Sequence, residues 1–134
     1  MKVIATSMPG GDSAMAAVEE EPDPLRWKLL NRYLADCERN EDLYLAALDR
    51  AESGTPELNW GDHHAWTSMY PDGRVVIEEM EPLNAEENAD QPPLPQIVIT
   101  IAEARKLILD WIAARDKWYA EREAPQAEAE GRSK

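Results

Sequence analysis

Residues 65–80 read AWTSMYPDGRVVIEEM, and this stretch decides the fold. Ala65 to Tyr70 alternates large and small side chains, Pro71-Asp72-Gly73 is a turn signature, and Val75, Val76 and Ile77 are β-branched or branched runs suited to a strand. Together they predict a hairpin. The two-residue period of a strand puts Val75, Ile77, Glu79 and Glu81 on one face and Glu78 on the other.

Downstream, residues 82–95 read as a loop in which Glu86, Glu87 and Asp90 lead into Pro92-Pro93-Leu94-Pro95. A connection of that length is long for a compact domain and is expected to be mobile or functional. Ile97-Val98-Ile99 is a short continuous β-branched run, which suits a buried strand. Thr100 with Glu103 has capping-box spacing, so the chain should pass directly from strand into helix. The apolar face of that helix is Ile101, Ala104, Leu107, Ile108, Trp111 and Ile112, then Trp118 or Tyr119. Pro125 is expected to end it, leaving 124–134 as a disordered Ala/Glu-rich tail.

Upstream, Asp23-Pro24 is a helix start: Asp caps, and Pro at the first helical position forfeits no needed hydrogen bond. Leu30, Tyr33, Leu34, Cys37, Tyr44, Leu45 and Leu48 then recur at spacings of three and four. Gly54 is a C-terminal stop. The polar run 38–42 interrupts this stripe, which predicts either one helix of 23–54 or two helices bent near Asn40. Residues 1–22 are expected to be a short strand or flexible tail. Val3 to Met8 is too short for a signal-peptide core and is broken by Pro9-Gly10-Gly11. The expected architecture is α+β: residues 23–123 form a single domain, with a small, mostly antiparallel sheet (hairpin plus one strand) packed against a long N-terminal and a C-terminal helix.

The net charge of −13 is unevenly distributed. Residues 55–96 hold nine acidic side chains and one base, Arg74, whereas 97–134 have seven of each. A localised anionic surface repels nucleic acid and acidic membranes and steers cationic partners toward itself. On the last helix Arg105, Lys106, Arg115 and Lys117 alternate with Glu103, Asp110 and Asp116, which is not the clustered basic stripe that phosphate contact needs. One cysteine precludes an internal disulfide and points to a reducing, cytoplasmic setting, and no run is long and apolar enough to span a membrane.

Catalytic chemistry finds little support. Asp62-His63-His64 has the residue types of a metal site or a general base. Neighbours in a strand point to opposite faces, however, and no Cys or further His completes a shell. Polar residues at a strand start are the preferred reading. Cys37 lies on the apolar helical face, where a structural thiol belongs. No phosphate-cradling glycine motif is present, and no cofactor is expected. The aromatics are five Trp and four Tyr with no Phe, so every ring carries a polar handle. Trp111 and Trp118 fall on the core stripe, while Trp27 falls off its own stripe, as a cover for a sheet edge would. Trp60 and Trp66 stand in the acidic third, where indole and carboxylate together grip Arg or Lys. The candidate partner-binding set is therefore Trp60, Asp62, Trp66, Glu78, Glu79, Glu81, Glu86, Glu87 and Asp90.

Two pieces of the chain carry a family likeness. Asp72-Gly73-Arg74-Val75-Val76-Ile77-Glu78 and Ile99-Thr100-Ile101-Ala102-Glu103-Ala104, followed by Leu107-Ile108-Leu109-Asp110-Trp111, together resemble small bacterial immunity proteins of contact-dependent growth inhibition and related polymorphic toxin systems. Many of these have a D-G-x-V-x-I-E strand, an acidic variable loop and a final helix with Leu-Leu-x-x-Trp. The resemblance implies a non-enzymatic inhibitor that covers a toxin domain, often a basic nuclease, with its own carboxylates. The alternative expectation is a homo-oligomeric structural or adaptor protein, for instance phage-derived, whose helical apolar faces bury against a second copy.

Overall fold

The structure, a computed structural model, describes residues 1–11, 13–61, 64–80 and 94–132, with residues 123–132 as backbone only. It is an α+β fold in which two antiparallel sheets share one core with three helices. The quoted stretch forms the central hairpin of the larger sheet: β4 (Ala65–Met69) pairs with β5 (Arg74–Glu79) in the register Met69↔Val75, Thr67↔Ile77, Ala65↔Glu79. Tyr70 and Arg74 close the turn, the Gly73 N–H donates to the Tyr70 carbonyl at 3.0 Å, and Gly73 has a φ of +97° that only glycine adopts without strain.

β6 (Gln96–Thr100) adds to β5 with Val75 opposite Ile99, and β3 (Glu57–Trp60) adds to the other side of β4, giving the order β3-β4-β5-β6. β3 has no counterpart in the sequence reading. It is four residues long and its register shifts between Glu57 and Trp60, with Asn59 at φ +55°, so no alternating pattern marks it. One face of the sheet is the core face: Ala65, Thr67, Met69, Val75, Ile77 and Ile99 are buried. β6, whose composition suits a buried strand, is buried on one face only. It is an edge strand in which Ile99 is buried while its neighbour Val98 is 51% exposed.

The interrupted stripe resolves into two helices, α1 (Pro24–Cys37) and α2 (Glu41–Glu52). Asp23 accepts the N–H groups of Leu25 and Arg26 at 3.0 and 3.2 Å, capping α1 as its residue type predicts. The polar residues 38–40 form the corner, where Arg39 takes φ +68°. α2 ends in a Schellman arrangement: the Gly54 N–H donates to the Ala51 carbonyl and that of Thr55 to Arg50. α3 (Ile101–Arg132) starts directly from β6, with the Glu103 N–H donating to the Thr100 hydroxyl at 3.0 Å. Its backbone continues past Pro125, where the sequence predicts a stop. An internal proline removes one hydrogen bond, and the surrounding Ala and Glu residues are strong helix formers. Among the described residues no helix is long and apolar enough to cross a membrane.

The N-terminal segment is the larger correction. It is a second hairpin, β1 (Lys2–Ser7) paired with β2 (Ala14–Glu19), and its turn contains Pro9-Gly10-Gly11. Ala14, Ala16 and Val18 are buried, so these residues belong to the domain. The edge of β2 is sealed by side chains, not by another strand. Its outward N–H groups at Ala14, Ala16 and Val18 donate to the Tyr119 hydroxyl (3.2 Å), the Glu38 carboxylate (2.7 Å) and the Asn31 amide oxygen (2.9 Å). Trp27 donates its indole N–H to the Val18 carbonyl at 2.8 Å, so it covers a sheet edge as its off-stripe position implies. Removing one acceptor should therefore leave a buried donor without a partner. We expect Asn31→Ala to lower the unfolding free energy by about 1–3 kcal/mol, read as a shifted denaturant midpoint at unchanged slope.

Candidate protein-binding surface

The second face of the four-stranded sheet is the side left without a covering helix among the described residues. The strand period sends Trp66 and Ser68 of β4, Val76 and Glu78 of β5, and Val98 of β6 to it. Trp66 lies directly opposite Glu78, and Val76 directly opposite Val98. Cross-strand neighbours of this kind form a contiguous strip. Trp66 is half-buried, and no ion pair engages Glu78 among the described residues. Ser68 on this face is buried, Val76 and Glu78 are half-buried and Val98 is exposed. An indole beside a carboxylate has the chemistry to hold an Arg or Lys side chain.

The other candidate residues lie elsewhere. Glu79 turns to the core side, where its carboxylate meets the Lys28 ammonium at 2.7 Å and the Arg32 guanidinium at 2.9 Å, both on α1. Lys28 first, and then Arg32, holds the Glu79 carboxyl below the usual range. Trp60 packs edge-on against Tyr44, with centroids 5.2 Å apart, and donates its indole N–H to Glu57. Both residues thus have partners within the protein. Two further acids of the region are also neutralised locally: Glu57 pairs with Arg50, and Asp72 with Arg74 at 2.7 Å. Asp62, Glu81, Glu86, Glu87 and Asp90 lie outside the described residues, as does most of the expected loop 82–95.

Arg105, Lys106, Arg115 and Lys117 of α3 are all paired, two of them with acids of the alternation and the others with acids outside it. Arg105 meets Asp49 and Glu52, Lys106 meets Asp110, Arg115 meets Glu41 and Asp116, and Lys117 lies 3.9 Å from Glu121. The helical faces that a homo-oligomer was expected to use are filled within one chain: Leu29, Leu30, Tyr33 and Leu34 of α1, Leu48 of α2, and Leu107, Ile108 and Trp111 of α3 are all buried.

His64, read from the sequence as a polar residue at a strand start, is exposed but has a buried partner that the sequence reading passed over, Asp36. Asp36, near the end of α1, accepts the N–H of Ala65 at 3.0 Å and that of His64 at 3.3 Å, and its second oxygen lies 2.7 Å from His64 Nδ1. Nδ1 therefore carries its proton toward the carboxylate. The arrangement resembles a catalytic acid–histidine pair, but its role in the fold is to fasten the start of β4 to α1. Its neighbour Cys37 supplies no nucleophile: burial pushes the thiol well above its ordinary range. Among the described residues no group of three His, Cys, Asp or Glu side chains suits a metal ion. The available signal was an aspartate on the flank of the α1 stripe and a histidine just before a strand.

Two outcomes follow from these contacts. Asp36→Ala leaves the buried Ala65 N–H unpaired and should cost about 3 kcal/mol, visible as a lowered midpoint in chemical unfolding. A carboxyl held below its unfolded value adds stability that is complete above that value and is lost as the pH falls through the folded one. Glu79→Gln should therefore be less stable than the parent at neutral pH, with the gap closing as the pH drops below the ordinary glutamate range. Searches against protein-family models, curated proteins and solved structures find no match to this chain.

Proposed function

We propose that the protein is a non-enzymatic inhibitor of immunity type, which neutralises a cationic toxin domain, of nuclease kind, by binding it through the outer face of the four-stranded sheet. The observation that carries the reading is the cross-strand placement of Trp66 opposite Glu78 on a face that no helix covers among the described residues, flanked by Val76 and Val98. An arginine or lysine of the partner would lie across the indole and pair with the carboxylate. The net charge of −13 supports fast, salt-sensitive encounter with a basic partner. The toxin part of the proposal rests on the likeness of residues 72–78 and 99–111 to immunity proteins. A cytoplasmic setting belongs to the same proposal.

The proposal expects a toxin domain to be encoded beside this chain's gene, and the test uses that domain. Titration calorimetry should show tight binding that weakens as salt rises, together with loss of the toxin's nuclease activity. Trp66→Ala and Glu78→Lys should each weaken binding by about thirtyfold or more, while the circular dichroism spectrum stays that of the folded parent. Unaltered affinity in both variants would remove this face from the interface. A neighbouring toxin that the protein neither binds nor inhibits would end the immunity reading.

A further inference from the structure

The two edges of the N-terminal hairpin are treated differently. The Met8 N–H donates to the Ser13 carbonyl at 2.8 Å, which sets the phase of the ladder. Lys2↔Glu19, Ile4↔Ala17 and Thr6↔Met15 share that phase and exchange the inter-strand bonds. Val3, Ala5 and Ser7 therefore turn their backbone N–H and C=O groups outward. On β2 the equivalent N–H groups are all taken by side chains of α1 and α3. On β1 no strand lies beyond, and no described residue takes the outward backbone groups.

A row of open backbone groups on a flat strand is a template for another strand. β1 has no proline and no register shift, and its one charge is Lys2, at its end. Beside it runs a groove of about 300 Å³ between β1 and α3, with Trp118 in its wall. Lys2 and Lys117 line this groove, and so does Glu121. Tyr119 reaches Ala14, which is opposite Ser7, and Arg122 lies 3.5 Å from the Ser7 hydroxyl. α3 thus advances alongside β1, with Lys2 at one end of the groove and Glu121 toward the other.

We propose that β1 is the seam of a homodimer. The β1 strand of a second copy adds antiparallel about a two-fold axis near Ala5, joining the two hairpins into a continuous four-stranded sheet. The antiparallel arrangement carries each Lys2 to the far end of its partner's groove, toward that copy's Glu121, and the exchange is reciprocal, as a two-fold interface requires. The seam is independent of the outer face of the four-stranded sheet, so it does not depend on the function proposed above.

Sedimentation velocity tests it. The full chain should be dimeric at roughly 100 µM, a range that populates even a weak symmetric interface. Because each copy carries −13, added salt should strengthen the dimer, opposite in sign to its effect on binding a basic toxin. Ala5→Pro removes one outward donor at an edge position, where proline is tolerated. It should weaken dimerisation tenfold or more, with an unchanged circular dichroism spectrum. Lys2→Glu or Glu121→Lys alone should also weaken the dimer, and the double exchange should restore it, which decides the matter even if Ala5→Pro fails to fold. A monomer at every concentration, or a dimer indifferent to both sets of changes, would overturn the proposal.

Discussion

A single helix satisfies the polar backbone of two separate sheets, and the rest of the structure depends on that constraint. α1 offers Trp27, Asn31 and, at its C-terminal end, Glu38 to the edge of β2. It offers Lys28 and Arg32 to Glu79 on β5, and Asp36 to the start of β4. Its apolar stripe meanwhile fills the core with Leu29, Leu30, Tyr33 and Leu34. An unpaired backbone group inside a protein costs more than a paired one returns. A two-stranded sheet is marginal by itself, and here α1 and Tyr119 supply the acceptors that a third strand would otherwise provide. Arg26 extends the same linkage, pairing with Glu21 just after β2 and with Glu103 at the start of α3.

The large elements were legible because each carries a local signal. Asp23-Pro24 specifies a helix start through one cap and one fixed dihedral. Tyr70 to Arg74 specifies a turn, and the three-and-four spacing from Ile101 to Trp111 matches the buried face of α3. What failed was non-local. β2 reads as Ala-Met-Ala-Ala-Val-Glu, and alanine gives almost no amphipathic contrast, so its burial depends on helices that arrive later in the chain. β3 forms because β4 is there to pair with, and its shifted register erases the alternation.

The candidate surface was legible in the same uneven way. Period-two geometry separates Glu78 from Glu79 correctly, but counting charge did not reveal that Glu79 is bound to α1. Acidic density along a sequence measures what a chain carries, whereas a binding surface depends on which carboxylates remain after the fold has used its share. Trp60 makes the same point for aromatics, since its partners Tyr44 and Glu57 lie outside the strand-by-strand pattern. Trp66 and Glu78 share the side away from α1 because side chains alternate along paired strands.

The single thiol gives the molecule a built-in clock. Cys37 lies in the core between α1 and its neighbours, is the only cysteine in the chain, and is held protonated by its surroundings. A soluble thiol reagent can reach it only when the packing around Tyr33 and Leu34 comes apart, so its labelling rate follows how often the native state opens, without any engineered probe. Any contact that tightens the core, at either sheet, should register at this one sulfur as slower chemistry.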